Sequence, residues 1–108
     1  MPNQRANLGP MNRAEIIARI KLQEPAIRAE GVEHVAIFGS RARGDARRES
    51  DLDVLIAVSP GRRFSLFNLS GVGLLIEGAT GLPAQIVLER SAEPAFKNRI
   101  ARDLTPVF

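Results

Sequence analysis

The sequence predicts a single α/β (α+β) domain, built on a small mixed sheet of about three strands flanked by helices. Apolar runs that are rich in β-branched residues and bounded by turn residues indicate the strands. Segments with a helical apolar stripe alternate with these runs in the order α-β-β-α-β-α, which favours one layered core. The length of 108 residues suits such a core. We expect one domain over residues 12–108 and a flexible tail over residues 1–11.

The first helix is predicted to begin just after Asn12. Asn12 and Glu15 have the spacing of a capping box, in which each side chain bonds the other residue's backbone N–H. Pro25 interrupts the apolar stripe that follows, and we expect it to kink the helix or to split it in two. Gly31 should end this helical segment.

The central segment is predicted to be two strands joined by a helical turn and a loop. Val35–Phe38 indicates a short buried strand, and a turn of helix should run from Gly39 to Gly44. Residues 45–50 are polar and indicate a loop. Leu52–Val58 is an apolar, β-branched run typical of a central strand.

The last third of the chain is predicted to hold two helices around one strand, Ala84–Leu88. The earlier of these two helices should cover residues 65–79, and it carries more apolar residues than one buried stripe requires. Its second apolar face could cover a partner or could be buried within the domain. The final helix should begin at Pro94, continue through Leu104 and stop at Pro106, because Phe96, Ile100 and Leu104 repeat at helical spacing.

The composition is that of an ordinary globular domain and predicts a cytoplasmic protein. Cysteine is absent, which excludes disulfides and thiolate metal sites. No apolar run is long enough to span a bilayer, and no signal-peptide pattern opens the chain. The net charge of +3 is modest, but the arginines cluster, which suits phosphate ligands. Five phenylalanines and no tyrosine or tryptophan make a single-strand nucleic-acid binder less favoured.

Asp51 and Asp53 open the strand Leu52–Val58 and are the strongest chemical signal. Residues two apart in a strand point to the same face, so the two carboxylates should lie side by side. Adjacent carboxylates repel, and a shared cation relieves the repulsion. Oxygen ligands of this kind suit Mg²⁺ or Mn²⁺. The simpler alternative is that Asp51 caps a turn and Asp53 pairs with a nearby arginine.

Gly39 and Ser40, called here the Gly-Ser turn, predict a phosphate site. A glycine after a strand lets the backbone approach a phosphate closely, and the helix that follows offers free N–H groups. Ser40 adds a hydroxyl donor, and Arg41 and Arg43 could neutralise phosphate charge. Taken alone, such turns usually bind nothing and such arginines are usually solvated.

The whole pattern, with the Gly-Ser turn separated by ten residues from an Asp-x-Asp that opens the next strand, resembles a known family. It is similar to the minimal nucleotidyltransferases of the DNA polymerase beta superfamily, the small partners of HEPN toxins. The resemblance covers about residues 12–108 and extends to the Gly-Leu-Pro-Ala-Gln-Ile-Val segment near residue 85. It is carried, in order, by Gly39, Ser40, Gly44, Ser50, Asp51 and Asp53.

The resemblance implies a polymerase-beta-like minimal fold and transfer of AMP from ATP to a hydroxyl of a HEPN-domain toxin. Asp51 and Asp53 would be the catalytic metal ligands for Mg²⁺ or Mn²⁺. The other implied site residues bind the nucleotide, and they are Gly39, Ser40, Arg41, Arg43 and Ser50. The chain would then be the antitoxin of a toxin–antitoxin pair.

The sequence departs from that family where a third carboxylate is expected on the next strand. Gln85 stands there, and an amide can ligate a metal but brings no charge and accepts no proton usefully. Glu89 would lie on the same face if the strand continued that far. Two versions of the function stay open: an enzyme that adenylylates its partner, and an impaired member that neutralises the toxin by binding.

Two further classes are weaker alternatives. A transferase of the aminoglycoside type needs walls for a second substrate, and this short chain leaves little beyond the nucleotide fold. A basic nucleic-acid-binding module would lose affinity steeply with salt and would not need Asp51 or Asp53. The sequence leaves self-association open.

Overall fold

The computed structural model describes residues 11–108, so the predicted tail over residues 1–11 lies, except for Met11, outside the described residues. A 3₁₀ turn, Glu89–Ser91, separates the third strand from the last helix. The described helices and strands are, in chain order, α1 (Arg13–Lys21), α2 (Glu24–Ala29), β1 (Val32–Phe38), α3 (Gly39–Arg43), β2 (Leu52–Val58), α4 (Leu66–Thr80), β3 (Ala84–Leu88), α5 (Pro94–Ile100) and β4 (Thr105–Pro106).

The four strands form one mixed sheet in the order β3-β2-β1-β4. β1 runs antiparallel to β2 and β4, whereas β2 and β3 are parallel and joined by the crossover helix α4. The predicted class and its three strands are confirmed. β4 was missed: it is two residues long, and one of them is Pro106, which lacks an N–H and is tolerated only at a sheet edge.

Alternation along β2 divides the sheet into two faces. Leu52, Val54 and Ile56 are fully buried in the main core, which α1, α2 and α4 cover. Leu55 points to the opposite face and packs there with Phe38 and with α5. The sheet therefore has a thick core on one side and a thinner, partly open layer on the other.

The predicted helix starts and breaks are confirmed at the N-terminal side. The Glu15 backbone N–H donates to Asn12 Oδ1 at 2.9 Å, and the Asn12 N–H donates to Glu15 Oε1 at 3.3 Å. The segment breaks between Lys21 and Glu24, and Pro25 lies in the first turn of α2. At the other end of the chain the prediction was wrong: α5 stops at Ile100, and Leu104 follows the helix.

α4 has one face in the core and another in solvent. Val72 and Ile76 are fully buried, whereas Leu66, Phe67 and Leu74 are 78%, 89% and 71% exposed. The interpretation that both apolar faces are buried within the domain is therefore wrong. None of the helices in the described part of the chain has the length and hydropathy to cross a bilayer.

Candidate active site

The Gly-Ser turn lies against the carboxylate of Asp53. β1 ends at Phe38, and Gly39 opens α3 with φ +76°, a left-handed conformation that favours glycine. A Cβ built on Gly39 would overlap Asp53 Oδ2 and would lie 3.3 Å from Asp53 Cγ. The glycine is therefore required both by its backbone conformation and by the approach of the carboxylate.

Asp53 is held rigidly by the sheet. It is the second residue of β2, aligned with Phe38 of β1 on one side and with Gln85 of β3 on the other. Its side chain is half-buried on the face of the sheet that Leu55 shares, away from the main core. This placement fixes one carboxylate next to the turn that begins α3.

Asp51 reaches the site from a loop. It precedes β2, is exposed, and is followed by Leu52, whose backbone N–H donates to the Pro83 carbonyl at 2.8 Å. Burial raises the pKa of Asp53 and the negative charge of Asp51 raises it further, while Arg43 lowers it. The negative charges of the two carboxylates therefore repel each other, as the Asp-x-Asp spacing predicts.

Neither carboxylate of this pair has a protein partner within residues 11–108. The Asp51 and Asp53 side chains accept no hydrogen bond there and join none of the ion pairs. The simpler alternative, in which Asp51 caps a turn and Asp53 pairs with an arginine, is not what the structure contains. The assignment of Asp51 and Asp53 as cation ligands stays a prediction, and the lack of partners for both within residues 11–108 is consistent with it.

Arg43 lies within the electrostatic reach of Asp53 and is held by two other acids. Its Nε and Nη1 form ion pairs with Asp45 at 3.1 Å and with Asp103 at 2.8 Å. Hydrogen bonds to these two carboxylates raise the pKa of Arg43. Asp103 could not be found from the sequence, because its partner is 60 residues away and the link exists only in the folded chain.

Arg41 is placed differently from Arg43. Its side chain is 2% exposed, and its guanidinium donates to the backbone carbonyls of Ser50 and Arg48. The assignment of Arg41 to nucleotide phosphate stays a prediction. In the described structure this residue supports the loop that leads to Asp51.

The two predicted serines also differ. Ser40 is half-buried beside Gly39, and its hydroxyl has no partner among the described residues. The Ser50 hydroxyl accepts a hydrogen bond from the Arg47 backbone N–H at 2.9 Å and so stabilises the loop. Of the two, Ser40 is therefore the hydroxyl free to meet a ligand.

Gln85 occupies the third position of the site. It is aligned with Asp53 across the parallel pair β2–β3, is exposed, and points to the same face. β3 stops at Leu88, and Glu89 enters the 3₁₀ turn, where it pairs with Lys97 Nζ at 3.2 Å. The condition for Glu89 to replace Gln85 is therefore not met.

The residues present fit a divalent cation bound mainly by oxygen atoms from outside the protein. No group of three or more His, Cys, Asp and Glu side chains in residues 11–108 is arranged to hold a metal. Two carboxylates and the amide oxygen of Gln85 leave coordination positions for waters and phosphates. Mg²⁺ commonly binds in this way, through one or two carboxylates plus substrate phosphates.

The family model described as the nucleotidyltransferase domain matches residues 19–107, which include the turn, both carboxylates and Gln85. The chain belongs to the nucleotidyltransferase domain family. This match confirms the family predicted from the motif. It also confirms the predicted enzyme class, a nucleotidyltransferase, whose substrate is a nucleotide.

Two relatives are similar over most of the domain. A protein of Methanocaldococcus jannaschii described as a "putative protein adenylyltransferase" is 30% identical over 83 residues, which are 77% of this chain and 87% of that one. A solved structure described as a "putative minimal nucleotidyltransferase" is 34% identical with a TM-score of 0.74, and the match covers 89% of this chain and 96% of that one.

A more distant structure shares the fold. It is a complex of a tri-AMPylated HEPN toxin of Shewanella oneidensis with an MNT antitoxin. The matched chain is 14% identical with a TM-score of 0.54, and the match covers 82% of this chain and 71% of that one. At this identity the likeness shows the fold alone, and together with the 34% identical structure it confirms the minimal nucleotidyltransferase fold predicted from the sequence.

Proposed function

We propose that this nucleotidyltransferase-family protein transfers AMP from ATP to a hydroxyl of a HEPN-domain toxin, and so acts as that toxin's antitoxin. The observation that carries the proposal is that Asp53 lies against the Gly-Ser turn and that neither Asp51 nor Asp53 has a partner within residues 11–108. The similarity to a protein described as an adenylyltransferase, and to the fold found with an AMPylated toxin, supports AMP as the transferred group. A cytoplasmic location is part of the proposal, because ATP is its donor.

The site residues have separate roles in this reaction. Asp51 and Asp53 would hold Mg²⁺ or Mn²⁺, which supplies electrostatic stabilisation of the charge on the α-phosphate and the leaving pyrophosphate. Gly39 lets the backbone approach the phosphates, and the Ser40 hydroxyl donates to them. Arg43, already oriented by Asp103, adds positive charge beside the triphosphate.

The acceptor oxygen bonds to the α-phosphorus as the bond to the β-phosphate's bridging oxygen breaks, and pyrophosphate leaves. The proton of the acceptor hydroxyl must go elsewhere than to position 85, because the amide of Gln85 is a poor base. We therefore expect transfer to be slower than with a carboxylate at this position and to release the proton to water.

Gln85 favours a second candidate function, in which the protein neutralises the toxin by binding. The exposed apolar residues of α4, Leu66, Phe67 and Leu74, offer a surface for such a complex. The second candidate keeps the toxin as partner and predicts no covalent product. The two candidates share the complex and differ only in turnover.

The deciding experiment is label transfer from α-labelled ATP in Mg²⁺ to a HEPN-domain protein encoded beside this chain. Asp53→Asn is the inactive comparison, and Glu49→Gln is the matched control, since Glu49 is an exposed loop carboxylate that joins none of the ion pairs within residues 11–108. Label on the partner with the wild type and Glu49→Gln alone supports the enzyme. Co-elution without label supports neutralisation by binding, and neither label nor a complex rejects both.

A further inference from the structure

Arg41 is a buried cation without an anionic partner among residues 11–108. Its side chain is 2% exposed and is the bulkiest of the fully buried side chains in the described structure. None of the ion pairs within residues 11–108 includes it. Burying a guanidinium is costly unless its donors are used, so its position calls for a reason.

The hydrogen bonds that Arg41 donates all go to one short segment of backbone, residues 48–50. Nη2 donates to the Ser50 carbonyl at 2.7 Å and to the Arg48 carbonyl at 3.2 Å, and Nε donates to Ser50 at 3.2 Å. Nη1 is buried without a partner among the described residues. The guanidinium therefore connects helix α3 to the last residue before Asp51.

Asp51 needs such an anchor and Asp53 does not. Asp53 belongs to β2 and is fixed by pairing on both sides. Asp51 lies outside every helix and strand, between Ser50 and Leu52. The Leu52 backbone N–H donates to the Pro83 carbonyl at 2.8 Å, which fixes the residue after Asp51. The Arg41 hydrogen bonds to the Ser50 carbonyl fix the residue before it.

Arg41 and Arg43 act on the site in different ways. Arg43 forms ion pairs with Asp45 and Asp103, whereas the Arg41 guanidinium donates to backbone carbonyls of the loop before Asp51. The two arginines are nevertheless two residues apart on the same short helix. This difference separates a mechanical contribution of Arg41 from an electrostatic contribution of Arg43.

We propose that Arg41 is a positioning residue that fixes the Asp51 carboxylate for divalent-cation binding by holding the Ser50 and Arg48 carbonyls. The proposal rests on the proposed function, since it takes the Asp51 and Asp53 pair as the cation site. Groups that orient metal ligands typically contribute about 10- to 100-fold in metal affinity. Arg41→Gln should weaken Mn²⁺ binding by a factor in this range.

The test is a double-mutant cycle read by Mn²⁺ titration, with electron paramagnetic resonance of free Mn²⁺ and a non-hydrolysable ATP analogue present. Arg41→Gln should weaken Mn²⁺ binding in the wild-type background and change it little in the Asp51→Asn background. A contribution to folding alone lowers the unfolding midpoint in both backgrounds without changing Mn²⁺ affinity. Equal losses of affinity in both backgrounds, or no loss in folded protein, would overturn the proposal.

Two further variants complete the design. Arg90→Gln is the matched control, because Arg90 Nη1 donates to the Ser59 carbonyl at 2.8 Å just beyond the other end of β2, and its Mn²⁺ affinity should be unchanged. Arg41→Lys serves if Arg41→Gln does not fold, since an ammonium lacks the planar fork through which Nε and Nη2 together bond the Ser50 carbonyl, and it should again lose affinity. A wild type that binds no Mn²⁺ would overturn the proposed function itself.

Discussion

Replacing Gly39 by alanine perturbs the contact between the Gly-Ser turn and the Asp53 carboxylate. Two effects add to the loss of folding stability. Gly39 has φ +76°, and a non-glycine residue in the left-handed region costs about 1–2 kcal/mol. The new methyl group would also overlap Asp53 Oδ2 and force the carboxylate to move. Insertion of a methyl group into an occupied space typically costs a further ~1–3 kcal/mol.

Gly44→Ala separates the two effects. Gly44 caps α3 with φ +89°, and nothing lies within 4 Å of a Cβ built there. We expect Gly44→Ala to lower the free energy of unfolding by about 1–2 kcal/mol and Gly39→Ala by about 2–5 kcal/mol. Only Gly39→Ala should also lose Mn²⁺–nucleotide binding, because only there does Asp53 have to move.

Urea denaturation at fixed pH measures the stabilities, and Mn²⁺ titration with an ATP analogue measures the binding. In an Asp53→Ala background the overlap is gone, so Gly39→Ala should then cost no more than Gly44→Ala. Wild-type Mn²⁺–nucleotide affinity in Gly39→Ala, or stability equal to that of Gly44→Ala, would refute the reasoning that the turn and the carboxylate are in contact.

Three other predictions concern charge, chemistry and contact. Burial and Asp51 raise the pKa of Asp53, so the folded state favours its protonated form. Its contribution to stability is therefore present at low pH and lost as the pH rises through that pKa. Asp53→Asn should thus unfold at a higher temperature than the metal-free wild type at pH 7, with no such advantage below the ordinary pKa of an aspartate. Gln85→Asp should speed label transfer about 100-fold or more, because a carboxylate there can accept the acceptor's proton. Phe67→Asp, at a side chain 89% exposed, should abolish co-elution with the HEPN partner without loss of stability, whereas Leu22→Asp on α1's end, 78% exposed, should not.

Each of these has a contrary result. Equal melting temperatures of the wild type and Asp53→Asn across the pH range would show that the pair is not strained in the metal-free protein. No gain of rate in Gln85→Asp, despite metal binding, would remove position 85 from proton transfer. Retained co-elution in Phe67→Asp would exclude this part of α4 from the interface.

The sequence predicts the elements whose signals are local. β2 and β3 lie at the predicted residues, since each is an apolar run bounded by turn residues. α5 was predicted too long, because Leu104 continues the helical spacing of Ile100 although the helix has already ended. β4 could not be read, since its two residues become a strand only by pairing with β1.

In the candidate site, too, local sequence patterns were predictable and long-range contacts were not. The carboxylate pair and the Gly-Ser turn were predictable from spacing alone. The burial of Arg41 was not, because it depends on carbonyls seven and nine residues later in a loop of irregular structure. Nor was the ion pair of Arg43 with Asp103, which joins parts of the chain that only the fold brings together.

Alternation along β2 has a consequence for how this chain can tolerate insertions and deletions. Leu52, Val54 and Ile56 face the main core, while Asp53 and Leu55 face the other side. One residue added or removed within this strand would turn the carboxylate into the core and an aliphatic side chain toward the site. Length changes are therefore confined to the loops on either side, and the seven residues of β2 can only be altered by substitution.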